Sequence, residues 1–482
     1  MPTSPLPEAE AMRIAAIDQG TTSTRVLVVD EYGGADIARA IRHHTYHPQP
    51  GWVEQSAEEL LSNMSACVET AGSVDAMGID NQGESCLAWD AKTGEALSPV
   101  IAWQDNRTEA ALAKLRADGA QELTLERAGL PIDAYFSASK LAWLLKHNRK
   151  VRSARKRGTL RLGTTDAYFL DRLTGHFATD TTTASRTSLM NLQTGQWDEA
   201  LCALFDVPME CLPEIRPTVG DFGQIGSVPI TASVVDQQAA LYGHGCRKIG
   251  DAKITFGTGA FALAVTGEHI VRVPDQGLVP TVAWRIGDTI TYALEGGVYD
   301  ASAAVEWGGR LGLFEDLAEI SAFESPAAIA SGLVFVPALS GLACPHWDRT
   351  AGAMWIGMRA STSRQDMCQA MLEGVAMCAA QVMHAMSRHV DMASHISVDG
   401  GLARNTYFAH FLADVLGTSV RTQRFHELTS IGCAALAALG YGVQLQERRN
   451  PSIIFNPRQS TETIAAWHTT FSQAVQRSRG WR

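Results

Sequence analysis

The first residues that could support chemistry are an aspartate and a turn of small, hydroxyl-bearing residues. Asp18 precedes Gly20, Thr21, Thr22 and Ser23, between an apolar strand pattern and a β-branched one. Backbone amides and hydroxyls in such a turn can hold phosphate oxygens, while the carboxylate binds a divalent metal, often through water. The alternative is an ordinary hairpin with an aspartate-capped turn, and the turn alone does not decide between them.

A second copy of this strand–turn–strand pattern lies about half a chain downstream. It runs from Lys253 to Gly267 and carries Gly257-Thr258-Gly259 in its turn. The repetition predicts a duplicated architecture, with one such loop in each of two domains. A third glycine turn, Asp399-Gly400-Gly401, follows a short strand pattern and precedes a helix from about Asn405. Such a turn can admit a phosphate or a base, although Gly-Gly is also common in plain turns.

Two frequent nucleotide-binding patterns are missing from the sequence. There is no G-x-x-x-x-G-K-[ST], which argues against a P-loop enzyme. No G-x-G-x-x-G opens a helix after a strand, because Gly257-Thr258-Gly259 leads into a strand pattern. A Rossmann dinucleotide site is therefore not expected either.

Asp236 ends an apolar run and begins a helical pattern of small residues that extends to Leu241. A carboxylate in this position can act as a general base at a cleft. It can also cap the helix that starts at Gln237, and the pattern alone favours the cap. The same oxygens cannot easily serve both roles.

Four further residues are candidates for binding a polyol: Glu84, Trp103, Tyr135 and Phe261. Carboxylates accept hydrogen bonds from hydroxyl groups, and aromatic faces pack on the C–H side of a polyol. Taken singly, Trp103 and Phe261 also suit core positions, and Glu84 suits an exposed turn.

The elements that must position these residues form an α/β mixture. Helical periodicity at 110–125, 139–147, 366–389 and 430–445 alternates with strand patterns at 76–80, 85–90 and 160–165. Glycines and charges interrupt the pattern near 244–252, where we place a domain boundary.

Length and composition bound the function. A chain of 482 residues, 46% hydrophobic and 19% charged, predicts two or three domains with ample core. The net charge of -11 argues against a nucleic-acid or membrane-surface partner. Nine cysteines without a C-x-x-C pair, and a start that lacks signal-peptide character, favour reduced thiols and a cytoplasmic location.

Taken together, many of these strings resemble the FGGY carbohydrate kinases, most closely their glycerol kinase branch. The resemblance covers nearly the whole chain. Its motifs include Asp18-Gln-Gly-Thr-Thr-Ser-Thr-Arg25, Gly51-Trp-Val-Glu54, Asn81-Gln82 with Glu84, Trp103-Gln104 followed by Arg107-Thr108, Ala184-Ser-Arg-Thr187, Asp236-Gln-Gln-Ala-Ala-Leu241, Gly257-Thr-Gly259 and Asp399-Gly-Gly401. The stretches 135–147 and 353–373 also fit the two signature patterns of that family.

The resemblance implies two actin-like (RNase H-like) ATPase domains around a central cleft. It divides the chain into a flexible tail at 1–11, a substrate-side domain at 12–245, a nucleotide-side domain at 246–470 and a C-terminal tail at 471–482. The implied activity is ATP-dependent phosphorylation of a small polyol or sugar with Mg²⁺, glycerol leading over a longer polyol or ketose such as erythritol or xylulose. A non-catalytic sugar or nucleotide binder is a further alternative. A homodimer or homotetramer is expected, with no nucleic-acid or membrane partner.

The resemblance also assigns roles to individual residues. Asp236 is implied as the general base, and Asp18 and Asp236 as the carboxylates that place Mg²⁺. The implied nucleotide contacts are Thr21, Thr22, Ser23, Arg25, Thr258, Gly401 and Asn405. The implied acceptor contacts are Glu84, Trp103, Tyr135, Asp236, Gln237 and Phe261.

Three features depart from the family pattern. Gly83 stands where glycerol kinases usually carry an arginine directly before the substrate glutamate. Ser302 and Glu306 replace a glycine and a glutamine near the nucleotide, so neither receives a role. The segment 223–229 is short and lacks the arginine of a sugar-bisphosphate loop, which predicts no inhibition by fructose bisphosphate.

Overall fold

The computed structural model describes residues 11–323, 326–423, 425, 427–446 and 452–482. Within it the chain divides into two compact units. The first comprises Met1–Gly243, Val282–Ile290 and Glu427–Arg449, and the second comprises His244–Thr281, Thr291–His426 and Asn450–Arg482.

The first unit contains fourteen strands and ten helices among its described residues. The strands are β1 (Arg13–Gln19), β2 (Ser23–Asp30), β3 (Ala35–Arg42), β4 (Glu54–Gln55), β5 (Ala76–Asn81), β6 (Cys86–Asp90), β7 (Val100–Ile101), β8 (Leu160–Thr164), β9 (Ala178–Asp180), β10 (Met190–Asn191), β11 (Gln196–Trp197), β12 (Glu214–Arg216), β13 (Gln224–Ile225) and β14 (Val228–Val235). The helices are α1 (Ala57–Ala71), α2 (Glu109–Ala117), α3 (Gln121–Arg127), α4 (Ser137–His147), α5 (Arg149–Arg157), α6 (Thr165–Thr174), α7 (Thr181–Ser185), α8 (Glu199–Leu204), α9 (Asp236–Gly243) and, much later in the chain, α13 (Leu428–Gly440).

The second unit is built from the remaining elements. Its strands are β15 (Ala252–Phe256), β16 (Ala260–Gly267), β17 (Val279–Ile286), β18 (Thr289–Val298), β19 (Val334–Val336), β20 (Met354–Ile356), β21 (His395–Gly400), β22 (Ser419–Gln423) and β23 (Ser452–Phe455). Its helices are α10 (Ser302–Arg310), α11 (Arg364–Ser387), α12 (Thr406–Leu416) and α14 (Thr461–Ser478). The facing ends of β17 and β18, at Val282–Ile290, are assigned to the first unit.

The main sheets of the two units share one topology. The first runs β13-β14-β5-β1-β2-β3, and the second runs β17-β18-β16-β15-β21-β22-β23. In each, a hairpin strand (β1 or β15) pairs antiparallel with its successor and parallel with a later strand (β5 or β21). This repetition confirms the predicted two-domain α/β class with actin-like units and the duplicated strand–turn–strand pattern.

Apolar faces of the sheets and helices form the cores. In the first unit, β1, β5 and β14 carry nearly unbroken buried runs, as expected for strands covered on both faces. In the second unit the long helix α11 buries most of its residues against the sheet. Within the described part of the chain, no helix is both long enough and apolar enough to cross a bilayer.

The units differ from the contiguous division expected from the sequence. Helix α13 belongs to the first unit, because its small residues Gly432 and Cys433 pack against α9 and β5. Helix α14 continues to Ser478 and buries Phe471, so the segment expected as a tail from 471 begins inside a packed helix. The tail expected at 1–11 lies, apart from Ala11, outside the described residues.

Candidate active site

Three parallel strands of the first sheet end at the same edge, and an aspartate lies at or directly after the end of each strand. The register pairs Asp18 of β1 with Asp80 of β5. Val235, the last residue of β14, pairs with Asn81, and Asp236 follows it as the first residue of α9. Because carboxyl ends of parallel strands in α/β sheets form ligand sites, this edge is the candidate centre of the first unit.

Electrostatics at this edge favour a cation. Asp80 is fully buried, and burial together with the charges of Asp18 and Asp236 raises its pKa well above the ordinary value. Burial also raises the pKa of Asp18, against the opposing charge of Arg25, whose Nε lies 3.5 Å from the Asp18 carboxylate. The charges of Asp18, Glu427 and Asp80 all act on this one guanidinium.

The turn after β1 is held from several sides. The amide of Gly20 donates to the carbonyl of Ser23 at 3.0 Å. The Thr21 carbonyl accepts a hydrogen bond from Gln55 Nε2 at 2.7 Å and lies 2.8 Å from His43 Nε2, while Thr22 is exposed. The turn is therefore a fixed platform with an accessible hydroxyl.

Arg25 is already engaged with protein groups. Its Nη1 donates to Glu427 Oε2 at 2.5 Å, and its Nη2 donates to Ser23 Oγ at 3.1 Å. With the Asp18 contact, these bonds orient the guanidinium beside the turn. A phosphate contact by Arg25 stays a prediction.

The proposed acceptor residues of the first unit are connected through side-chain contacts. The rings of Trp103 and Tyr135 meet edge to face at 5.6 Å, and Trp103 Nε1 donates to Thr21 Oγ1 at 3.1 Å. The carbonyl of Tyr135 accepts a bond from the buried Lys140 at 2.8 Å. This places the aromatic pair next to the turn that follows Asp18.

The tight turn after β5 positions Glu84. Gly83 has a φ of +61° and Glu84 has a φ of +38°, both in the left-handed region. Asn81 Oδ1 accepts a hydrogen bond from the Gly83 amide at 2.9 Å, and the Glu84 carbonyl accepts one from Ser137 Oγ at 2.8 Å. Glu84 Oε1 accepts a bond from Arg186 Nε at 2.6 Å. The glutamate is thus buried rather than in an exposed turn.

In the second unit, the turn between β15 and β16 presents Thr258 to solvent. Its carbonyl accepts hydrogen bonds from the amides of Ala301 and Ala303 at 3.0 and 3.1 Å. Gly259 is tightly enclosed, because an added Cβ would lie 2.6 Å from the carbonyl oxygen of Val298. Phe261, on β16, is half-buried.

The glycine turn after β21 combines close packing with an open position. A Cβ at Gly400, whose φ is +93°, would lie 2.1 Å from the carbonyl oxygen of Phe256, so only glycine fits. A Cβ at Gly401 would meet nothing within 4 Å, which leaves room for a ligand. Asn405 caps α12 through its Oδ1 and donates its Nδ2 to the carbonyl of Ile320 at 2.8 Å. Its role toward a nucleotide stays a prediction.

The structure thus distributes the predicted residues over both units. The first unit carries the following set: Asp18, Thr21, Thr22, Ser23, Arg25, Glu84, Trp103, Tyr135, Asp236 and Gln237. The second unit carries Thr258, Phe261, Gly401 and Asn405.

Sequence reasoning gave no role to three features of these edges. Asp80 joins the aspartates through strand register, and Arg186 contacts Glu84. In the second unit, His244 Nε2 lies 3.0 Å from Asp399 Oδ2. Burial would raise the pKa of Asp399, but His244 and Lys253 lower it to about 2. Arg186 and Asp399 stand in motifs shared with the FGGY kinases, and Asp80 ends a strand pattern, but none of these signals identifies the contact partner.

Comparisons with known proteins agree with this architecture. The profile of the N-terminal domain of the FGGY family of carbohydrate kinases matches residues 13–243, and that of the C-terminal domain matches residues 252–441. The glycerol kinase of Alkalilimnicola ehrlichii is 40% identical over 97% of this chain and 98% of that protein. The glycerol kinase of Haloferax volcanii is 36% identical over 97% of this chain and 98% of that protein.

Solved structures give the same picture. Plasmodium falciparum glycerol kinase with ADP matches with a TM-score of 0.90 and 30% identity, covering 97% of this chain and 98% of that one. A ligand-bound xylulose kinase from Lactobacillus acidophilus matches with a TM-score of 0.86 at 19% identity, covering 96% of this chain and 97% of that one, which supports the fold alone. The fold and these matches define a phosphotransferase. The chain belongs to the FGGY family of carbohydrate kinases.

Proposed function

We propose that this protein transfers the terminal phosphoryl group of ATP to a primary hydroxyl of glycerol, forming glycerol 3-phosphate and ADP. The observation that carries the proposal is the aspartate edge of the first unit, with Asp236 following β14 and Glu84 following β5. The full-length similarity to glycerol kinases supports this acceptor over others.

The proposed step needs positioning more than covalent chemistry. The acceptor oxygen attacks the terminal phosphorus, the bond to ADP breaks, and the acceptor proton moves to the Asp236 carboxylate. Glu84, Tyr135 and Gln237 hydrogen-bond the acceptor hydroxyls, and Trp103 packs against the carbon chain. Phe261 is proposed for the same packing.

The nucleotide is proposed to bind through backbone amides and hydroxyls. The turn Thr21–Ser23 and Thr258 would contact phosphates, Arg25 would add a cationic group, and Gly401 and Asn405 would contact the nucleoside. Such contacts let an acidic chain bind a polyanion at a local site.

The donor set fits Mg²⁺. Magnesium is usually bound by one or two carboxylates together with substrate phosphates and water. Asp18 and Asp236 supply such carboxylates, and the buried Asp80 pairs with Asp18 in the strand register. When bound, Mg²⁺ would neutralise charge on the transferring phosphates.

An acceptor screen tests the proposal. ADP release is measured with Mg·ATP and glycerol, erythritol, threitol, xylitol, ribitol, xylulose, ribulose or erythrulose. We expect glycerol to give the highest kcat/KM. A higher value for a longer acceptor would replace glycerol in the proposal. Ligand binding by calorimetry without ADP release would indicate a non-catalytic binder.

Asp236→Asn tests the general base. The variant should lower kcat by about 10²–10⁴-fold at an unchanged melting temperature, because it removes the proton acceptor and keeps the shape. Asp118→Asn, at an exposed helix end in the same unit, is the control and should retain full activity. Wild-type turnover by a folded Asp236→Asn protein would show that Asp236 is not the general base.

A further inference from the structure

A buried ion pair joins the proposed acceptor site to Arg186, an arginine that has no role in the reaction proposed above. Arg186 is 2% exposed, and its Nε donates to Glu84 Oε1 at 2.6 Å. A short, buried guanidinium–carboxylate contact is directional, and its loss leaves a charge without compensation. The pair therefore fixes where the Glu84 carboxylate can lie.

The same guanidinium faces the aromatic part of the site. Its central carbon lies 5.7 Å from the ring centre of Tyr135 and 5.5 Å from that of Phe136. These distances are within the range of cation–π attraction. Arg186 thus contacts two members of the proposed acceptor set at once, Glu84 and Tyr135.

We propose that Arg186 is a positioning residue for the acceptor, which holds Glu84 and Tyr135 in their binding geometry. This inference rests on the proposed function, because Glu84 and Tyr135 are acceptor residues only in that reaction.

The backbone at position 83 suits glycine. Gly83 has a φ of +61°, and an added Cβ would lie 3.1 Å from Val235 Cγ1. Both a left-handed φ and a close neighbour disfavour a long side chain at this position. In this turn Glu84 has a φ of +38°, which a glutamate rarely adopts, and its side chain contacts Arg186.

The segment that carries Arg186 is tied to the catalytic strand. Helix α7, which Arg186 follows, is capped by Asp180, and Asp180 Oδ2 also accepts a bond from Thr218 Oγ1 at 2.9 Å. Thr182 Oγ1 accepts a hydrogen bond from the amide of Val235 at 3.0 Å, one residue before Asp236. One buried hydrogen-bonded frame therefore links the residue that holds Glu84 to the proposed base.

Arg186→Lys and Arg186→Gln test the role. Lysine keeps the charge without the planar fork, and glutamine removes the charge. We expect the KM for glycerol to rise about 100-fold in Arg186→Gln, which corresponds to about 2.7 kcal/mol. Arg186→Lys should recover part of this loss. The KM for ATP should stay within about threefold, because the contacts of Arg186 described above are with Glu84, Tyr135 and Phe136, none of which is assigned to the nucleotide.

Arg107→Lys is the matched control. The Arg107 side chain is as buried as that of Arg186 and pairs with Asp105 and Glu54 in the same unit, and it contacts the rings of Trp52 and Trp143. This variant should lower the melting temperature and leave the KM for glycerol unchanged.

The outcomes separate the two proposals. A wild-type protein that releases no ADP with glycerol overturns the proposed function. Glycerol turnover by the wild type, with an unchanged KM for glycerol in a folded Arg186→Gln, overturns the role of Arg186 alone. If the KM for glycerol rises equally in Arg186→Gln and in Arg107→Lys, the role of Arg186 is also overturned, because the effect then reflects a general loss of packing in the first unit. If neither Arg186 variant folds, Glu84→Asp withdraws the carboxylate by one methylene, and an unchanged KM for glycerol then contradicts the role.

Discussion

Gly259 offers a sharp test of the loop assigned to the nucleotide in the second unit. A Cβ at this position would lie 2.6 Å from the carbonyl oxygen of Val298 and 3.0 Å from that of Tyr299. Both atoms are backbone, so no flexible side chain can move away. Overpacking of this kind costs about 1–3 kcal/mol. At roughly 2–4 °C per kcal/mol, Gly259→Ala should melt about 2–12 °C below the wild type.

The same turn supplies its own control. A Cβ at Gly257 would meet only the carbonyl oxygen of Gly259, at 3.7 Å, an ordinary contact. Gly257→Ala should therefore melt at or slightly above the wild-type temperature, because alanine restricts the unfolded chain.

The two variants also separate stability from nucleotide binding. Displacement of the turn in Gly259→Ala should raise the KM for ATP about tenfold, or about 1.4 kcal/mol, and leave the KM for glycerol unchanged. Thermal melting and a coupled ADP-release assay measure both effects. A Gly259→Ala protein that melts as high as Gly257→Ala would refute the steric reasoning. A normal KM for ATP in a destabilised Gly259→Ala would remove the turn from the nucleotide site.

Two further predictions concern pH and regulation. Burial raises the pKa of Glu373 to about 7 from its ordinary 4.5, against hydrogen bonds from Tyr407 and two backbone amides. The folded state therefore keeps a proton that the unfolded chain releases, and about 3 kcal/mol of stability present below pH 4.5 is lost as the pH rises to 7. Urea denaturation from pH 5 to 8 should show this loss in the wild type and not in Glu373→Gln, and parallel curves would contradict it. Activity should be the same with and without millimolar fructose bisphosphate, because segment 223–229 forms a hairpin with a two-residue turn at Gly226 and Ser227, and strong inhibition would show the contrary.

The fold could be predicted where the signal is local. Small residues between two apolar runs identify a hairpin from local sequence alone, so the hairpins β1–β2 and β15–β16 could be predicted, but the order of the other strands in each sheet could not. The helix expected at 110–125 is interrupted near Gly119, whose φ is +79°, and a separate helix, α3, begins at Gln121. A helical period alone does not report such a break.

The site could be predicted only in part, because its remaining contacts are distant in sequence. Asp80 joins Asp18 through a strand pairing between segments 62 residues apart. Arg186 meets Glu84 from 102 residues away, and Arg25 meets Glu427 from 402 residues away. Composition and local spacing do not predict contacts between residues so far apart in the sequence. The position of Asp236 likewise depends on strand pairing, which brings the end of β14 next to the end of β5, and its role as the base stays a prediction.

Helix α13 sets an order of events during synthesis. Its residues close over β1, β5 and β14, and the carbonyl of Ala437 accepts a bond from Thr231 Oγ1 at 2.7 Å. The ribosome therefore releases the sheet of the first unit long before the helix that covers one face of it. Between those moments an apolar surface stays uncovered while most of the second unit is translated. A chain that stops before residue 427 has the strands of its first unit but lacks α13, the helix that covers one face of their sheet.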